Sequence, residues 1–571
     1  MYFGAKYNTM KFLWLDINCS YSHTSLALPT LHAQLSSNII NNSEWCSVRG
    51  TTKSNTTQII SEVLEHSPDY IFATAWLFNT EYLQIILSKI CAINSNVTIF
   101  LGGPEFLGNN YEFLYNNRYI SGVFKGEGEE VFEPFISALM NKKGSAEWAK
   151  WRTIEGFEYL DEQGNFHSSI AVTVKEFEKL EIPESSVFFN WEKPFIQLET
   201  SRGCFNSCKF CVSGIDKSPI QNLPVEALRA RLQTVVDKGI REVRVLDRTF
   251  NGNSGRAIAL LDLFREFLGK IQFHIEVHPA LLSTMFKRYL EELPNNLLHV
   301  EAGIQSLSPE IIANCARKGS PKEALEGVKY LLSLNKFEVH ADLIAGLPKY
   351  SFIGLIIDTL TLMNTGVQEI QLELLKLLPG TWFRDNAKEQ GIKFSKLPPY
   401  EVLETEAITY KELCKSMVLS KIIDWWYNDA RWREPFTIVF KDSYELLEKL
   451  MGELYNSDYL SQPISFESKS MLLYSFVKEH APEHLFNISL QWIRNGLSAK
   501  KEPGNILNSW NIRESSLENP IYNKEAVRVK YFYAQNGVNT HWFAFNTELD
   551  RNKPIKEYII GKLLESPTAS C

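Results

Sequence analysis

The chain has 571 residues, 44% of them hydrophobic, and a net charge of −8. Its length exceeds what one core organises and predicts roughly two to four domains, while the acidic balance argues against nucleic acid or an anionic membrane as a partner. Its nine cysteines lie in a long chain without a convincing secretory leader, which argues against a disulfide framework.

The opening "MYFGAKYNTMKFLWLDINCS" holds only a short apolar run, Phe12 to Ile17, and no small-residue cleavage site after it. "MKFLWLDI" reads directly as a first strand, so Met10 is an alternative start. No apolar run approaches the roughly 18 residues needed to cross a bilayer. These features predict a soluble, cytoplasmic protein with no membrane partner.

Strand-like runs at 11–17, 70–76 and 97–103 alternate with helical spacing at Leu26 to Leu35 and Tyr82 to Ala92. The alternation predicts an α/β, doubly wound (Rossmann-like) domain over 1–145, with ligands at the carboxyl ends of its strands. The polar and glycine-rich pieces fall at those ends: "NCSYSHTS", "LFNT", "GGPE" and "KGEGEE". Residues 146–190 lose the rhythm and read as a hairpin-bearing connector. From 191 to 396 it returns, with "FIQLETS", "EVRVLD", "FHIEVH", "LHVEAGI", "VHADLIAG" and "EIQLELLKL" separated by helical stretches at 224–238, 254–268 and 321–334. Six βα units predict a partial barrel with its chemistry at the carboxyl ends of the strands. The remainder, 397–571, reads as a mostly helical, aromatic-rich domain; Trp425, Trp426, Tyr427 and Trp432 read as core, with a substrate cavity as the alternative.

After the first barrel strand comes "LETSRGCFNSCKFCVSG", with Cys204, Cys208 and Cys211 in eight positions. Structural zinc normally takes four ligands in two close pairs, and no second pair follows. Thiolates also hold iron–sulfur clusters, and a cubane cluster normally takes four. Three leave one iron open, the mark of a catalytic metal.

The CxxxCxxC loop, with Phe210 before its third cysteine, resembles the radical S-adenosylmethionine superfamily. The resemblance implies a [4Fe-4S] cluster on the three cysteines and S-adenosylmethionine on the open iron, cleaved to a 5′-deoxyadenosyl radical. It carries over Phe210, Asp247 (toward the methionine ammonium), Glu276, Gln305, Arg317 and Asp342 as adenosylmethionine-binding residues. Carboxylates and amides suit a ribose diol and a guanidinium suits a carboxylate; each of these residues alone is equally a loop salt bridge or cap.

Ahead of the barrel, "YSHTSLALPTLHAQL", "LFNTEYLQIILSKI", "LGGPE" and "GVFKGEGEEVF" resemble the cobalamin-binding domains of cobalamin-dependent radical S-adenosylmethionine enzymes. The implied cobalamin-binding residues are Ser22, Asn79, Gly102, Gly103, Glu127 and Gly128; ordinary turns explain the glycines as well. The DxHxxG motif that supplies an axial histidine in other cobalamin proteins is missing; His23 reads as an N-cap or loop hydrogen-bonding residue, with an approach to cobalt as the alternative. The resemblance therefore implies methylation of an unactivated carbon in a small-molecule or peptide substrate, with a reductant such as flavodoxin or ferredoxin and a second adenosylmethionine to remethylate cobalamin. A non-methylating rearrangement or cyclisation, and a non-catalytic iron–sulfur sensor, are the alternatives. The carboxyl-terminal region resembles the uncharacterised extra domain of one branch of these enzymes.

Overall fold

The structure, a computed structural model, describes residues 9–561 except 24, 142, 216–218, 499, 505–507, 511–528, 536–538 and 547–553. Two compact units emerge: residues up to Ser351 together with Leu374–Leu413, and Phe352–Glu373 together with the chain from Cys414 onward.

The first unit begins with Met10–Asn18 (β1), Ser43–Thr51 (β2), Tyr70–Thr74 (β3), Thr98–Gly102 (β4) and Gly122–Phe124 (β5), all parallel, in the order β2-β1-β3-β4-β5. Side chains alternate across a strand, and here the two faces differ in kind. Phe12, Trp14, Phe72 and Phe100 project to one face and meet Phe132, Phe135 and Trp151; Leu13, Leu15, Ile71, Ala73, Ile99 and Leu101 make an aliphatic core on the other. Burial on both faces is what a parallel sheet requires. The strand order reverses between β1 and β3, which leaves a crevice at their carboxyl ends.

The hairpin expected between the domains forms from Phe157–Leu160 (β6) and Phe166–His167 (β7), and it extends the same sheet as antiparallel strands beside β5. Gly126, in the "KGEGEE" loop, lets the following stretch lie against β5. Its φ is +97°, and a Cβ there would stand 2.2 Å from the Val172 carbonyl oxygen.

The second sheet of this unit starts with Ile196–Leu198 (β8). A short ribbon of Ser201–Arg202 (β9) and Gln221–Asn222 (β10) follows. Then come Glu242–Val245 (β11), Gln272–Val277 (β12), Leu298–Gln305 (β13) and Glu338–Ala345 (β14), parallel in the order β14-β13-β12-β11-β8. Phe273, Ile275 and Val277 pack outward and are buried, so His274 and Glu276 share the opposite face. Helices Val225–Asp237, Ser254–Arg265 and Pro321–Ser333 fill the intervals, the last opened by a reciprocal capping box between Ser320 and Glu323. The sixth strand candidate also forms, as Glu369–Leu374 (β15), and Lys393–Phe394 (β16) pairs with Val402–Glu404 (β17).

In the second unit, helices run from Tyr410–Ile422 to Leu485–Arg494. Trp426, Tyr427 and Trp432 are fully buried, with Trp432 Nε1 donating to Ser470 Oγ at 3.0 Å and Tyr427 Oη to the Val367 carbonyl at 2.6 Å. They are core, not a cavity lining. Past the helices lies an element outside the helical expectation for 397–571: an antiparallel sheet of Asn508–Trp510 (β18), Val529–Gln535 (β19), Asn539–Asn546 (β20) and Pro554–Gly561 (β21).

Replacing Gly126 by alanine forces a side chain into a left-handed conformation, roughly 1–3 kcal/mol of strain, and into the Val172 carbonyl. The expected outcome is a lower midpoint in thermal or urea unfolding; an unchanged midpoint would contradict the contact.

Candidate active site

Asp247, just past β11, organises the loop that carries the cysteines. It is 3% exposed, and its carboxylate accepts from the Thr200 and Ser201 backbone N–H groups at 2.8 and 2.9 Å and from the Thr200 hydroxyl at 2.5 Å. The sequence points Asp247 at a methionine ammonium; the structure spends it on fixing the chain three residues before Cys204. The loop then closes on itself, with Cys211 N–H donating to the Cys208 carbonyl at 3.1 Å and Gly214 N–H to the Cys211 carbonyl at 3.1 Å. A Cβ on Gly214 would stand 2.6 Å from the Cys208 oxygen, so glycine is required for this closure. Lys209 N–H donates to the Cys315 carbonyl at 3.0 Å and docks the loop on the following turn of the barrel.

Cys208 is 6% exposed, Cys204 and Cys211 less buried. Burial pushes the Cys208 thiol pKa up and the nearby Arg317 guanidinium opposes that, with Nη1 3.9 Å from Sγ. Among the described residues, no three His, Cys, Asp or Glu side chains gather around one metal-ion position. Three thiols on one loop fit a group with several irons, where each thiolate takes a different iron.

Arg317 also donates from Nη2 to the Gly303 carbonyl at 2.8 Å. A Cβ on Gly303 would meet Gln305 Nε2 at 2.8 Å and Arg317 Nη2 at 2.9 Å, so this glycine lets amide and guanidinium converge. Gln305 sits at the end of β13 with φ +70°. The structure thus brings Gln305, Arg317 and Cys208 together, with Phe210 partly buried on the same loop. Glu276 and Asp342 converge on a third acid, Glu301. Burial first, then the charges of Glu301 and Glu276, raises Asp342 well above the carboxylate range, and one of its oxygens, Oδ1, is buried without a partner. Glu276 is pushed up to about 7, by burial and then by Glu301. An orphaned, buried carboxyl oxygen midway along β14 suits a polar ligand that donates a hydrogen bond. Glu301 and its partner His274 (3.0 Å) are absent from the sequence-derived set. A signal was there, in the repeat of histidine, one residue, acid on three successive strands.

At the carboxyl rim of the doubly wound sheet, three of the expected cobalamin-binding residues serve the protein's own fold. Asn79 is fully buried; its Oδ1 accepts from Trp76 N–H at 2.7 Å and its Nδ2 donates to the carbonyls of Ile17 and Thr74 at 2.8 and 3.0 Å. Gly103 has φ +109° and leaves only 2.6 Å between a Cβ and the Ala75 oxygen. Glu127 accepts from Val174 N–H and pairs with Arg202 at 3.7 Å. Of the others, Ser22 bonds Ser20 at 3.1 Å, a Cβ on Gly128 would meet Leu31 at 3.0 Å, and one on Gly102 would have ordinary clearance. His23 Nδ1 is taken by Ser20 Oγ at 2.6 Å. The rim also carries aromatic surface absent from the expected set: Tyr21, 73% exposed, and Trp76 stacked on the exposed Phe78 with ring centres 6.2 Å apart.

Three rim loops of this sheet reach the barrel beside the cysteine loop. After β1, Lys193 lies 4.2 Å over the Tyr21 ring and Phe195 meets His23 edge-on at 6.2 Å, just before β8. After β4, Leu107 and Gly108 pack on Pro379 and Gly380, which touches Ile215, and Glu105 takes a hydrogen bond from the buried Tyr400. After β5, Glu129 binds Arg202 at 2.7 Å, two residues before Cys204.

Residues 198–353 match the profile of the Radical SAM superfamily, and this segment is a radical SAM domain. Residues 388–549 match a family described as "Protein of unknown function (DUF4080)". Among curated relatives, an uncharacterized methyltransferase of Pyrococcus horikoshii is 25% identical over 289 residues, 49% of this chain and 60% of that protein. A tRNA-2-methylthio-N(6)-dimethylallyladenosine synthase of Alcanivorax borkumensis is 27% identical over 192 residues, 32% of this chain and 42% of that one. The chain thus spans less than two thirds of either relative. Two solved enzymes share the fold. The radical S-adenosylmethionine methyltransferase TsrM of Kitasatospora setae aligns over 69% of this chain and 80% of its own, with a TM-score of 0.54 and 14% identity. The cobalamin-dependent S-adenosylmethionine radical enzyme OxsB, solved with aqua-cobalamin, aligns over 85% and 79%, with a TM-score of 0.57 and 17% identity.

Because Glu276 binds its proton more tightly in the folded chain, at about 7 against 4.5, its contribution favours folding below pH 4.5 and is lost as pH rises toward 7. Glu276→Gln is expected to flatten that decline in urea midpoints measured from pH 4.5 to 8. A slope equal to the parent's would refute the assignment.

Proposed function

We propose that the protein is a radical S-adenosylmethionine enzyme that uses cobalamin to methylate an unactivated carbon of a small-molecule or peptide substrate. The observation that carries this reading is the meeting of two carboxyl rims: loops from the doubly wound sheet pack beside the loop that bears Cys204, Cys208 and Cys211. When bound, a [4Fe-4S] cluster with adenosylmethionine supplies a 5′-deoxyadenosyl radical, and cobalamin supplies a transferable methyl group.

In this reading the residues divide the labour. Cys204, Cys208 and Cys211 hold the cluster, and Arg317, already hydrogen bonded to Gly303, offers its guanidinium edge to the adenosylmethionine carboxylate. Gln305 and the carboxyls of Glu276 and Asp342 meet hydroxyl and amino groups. Trp76, Phe78 and Tyr21 give cobalamin an apolar face. His23 Nδ1 is held by Ser20 Oγ. The net charge of −8 favours a small molecule or peptide over a nucleic acid as substrate, and a flavodoxin or ferredoxin would supply electrons. Likeness to two cobalamin-binding enzymes of the same fold supports the cofactor assignment.

Anaerobic reconstitution with iron, sulfide and hydroxocobalamin, followed by reduction, tests the reading. Bound cobalamin in the visible spectrum and release of 5′-deoxyadenosine are expected, with deoxyadenosine lost in Cys208→Ala while cobalamin stays bound. Formation of S-adenosylhomocysteine in step with product marks methyl transfer, and its absence would favour rearrangement or cyclisation.

A further inference from the structure

Three consecutive barrel strands carry one pattern: His274-Ile-Glu276, His299-Val-Glu301 and His340-Ala-Asp342. With a period of two, each histidine shares a face with its acid. The register sets His274 beside His299, Glu276 beside Glu301, and Glu301 beside His340. A ladder results. Asp342 shares a hydrogen bond with Glu301, Glu301 Oε2 lies 3.0 Å from His274 Nε2, and the His274 ring stacks on His299 at 4.7 Å and 22°. His299 Nε2 lies 2.8 Å from His340 Nε2, and His299 Nδ1 lies 3.5 Å from Glu338, whose side chain is 67% exposed at the start of β14. The two ends differ: Asp342 Oδ1 is buried and partnerless, while Glu338 meets solvent.

Two carboxyl groups joined by a hydrogen bond must hold a proton between them, and so must two imidazole nitrogens. We propose that the His-x-acid ladder is a proton path through the barrel interior, from Asp342, midway along β14, to Glu338 at its amino-terminal start. A proton taken up at Asp342 Oδ1 is balanced by passage of the shared Asp342–Glu301 proton to His274, and by release from His299 Nδ1 to Glu338 and water; no electrons move. The step between the stacked rings requires an imidazole to rotate. Charged groups facing the ladder are Arg244 and Glu242 near His274 and His299, and Asp247, Arg248 and Arg317 near Glu276 and Asp342. Burial, then the charges of Glu301 and Glu276, favours the protonated form of Asp342, and burial favours the neutral form of His299. The use of the path rests on the radical reading above, since a rim that excludes water needs another route for protons.

The test uses the full chain without cofactors, so it is independent of that reading. Rapid mixing into D2O, followed by infrared spectroscopy, tracks the C=O band of a buried protonated carboxyl at pH 7. Measured in a Glu276→Gln background, so that the Glu276 carboxyl at about 7 does not contribute, Asp342→Asn is expected to remove the band. His299→Gln and, at the exposed mouth where packing is undisturbed, Glu338→Gln should leave the band in place and slow its exchange about tenfold or more. Exchange as fast as the parent's in Glu338→Gln, or no such band in the parent, overturns the proposal.

Discussion

The first unit depends on how the Arg202 guanidinium is neutralised. Its side chain is only 12% exposed, and three carboxylates share it: Glu129 at 2.7 Å, Glu199 at 2.8 Å and Glu127 at 3.7 Å, with the Phe177 ring beneath. Burial works against the charge, and Glu129 and Glu199 outweigh it. A charge at this depth is tolerated only when paired and hydrogen bonded. The partners come from the sheet rim and from the end of β8, so satisfying one cation fixes two layers of the unit at once. Because Arg202 is two residues from Cys204, the same contact sets where the cysteine loop begins.

Beyond that anchor, the loop is held by groups that never need to touch a ligand. Asp247 fixes its approach, Gly214 its return, and the Cys315 carbonyl its flank. The thiol of Cys208, Arg317 and Gln305 then converge above this scaffold. Preorganisation of this kind spares the reacting groups from being positioned at the moment of reaction.

The doubly wound and barrel layers were legible because their central strands are continuous apolar runs such as "YIFAT" and "TIFLG". The edge strand Ser43–Thr51 was not, since its residues are mostly half-exposed and polar. Nor was the closing sheet, whose "VKYFYAQ" and "NTHWFAFN" read as more aromatic helix in a helical context. At the site, covalent spacing made the cysteines readable. Asp247, Asn79 and Glu127 share one ambiguity: a polar residue near a strand end can serve the backbone or a ligand, and here each is engaged by the protein's own backbone. Asn79 shows this in full, since its carboxamide donors and acceptor all go to main chain.

The contact between Tyr400 and Glu105 bears on how such chains are catalogued. Tyr400 is 5% exposed, lies 4.2 Å from the Arg384 guanidinium and donates to a glutamate nearly three hundred residues away. It falls inside the segment matched by the family of unknown function, which begins at 388, yet Leu374–Leu413 belongs to the first unit. The boundary drawn by sequence similarity therefore cuts through a folded body. In this chain the leading edge of the matched segment is completed by Glu105, on the turn after β4, so residues 388–413 fold with the layers that precede them.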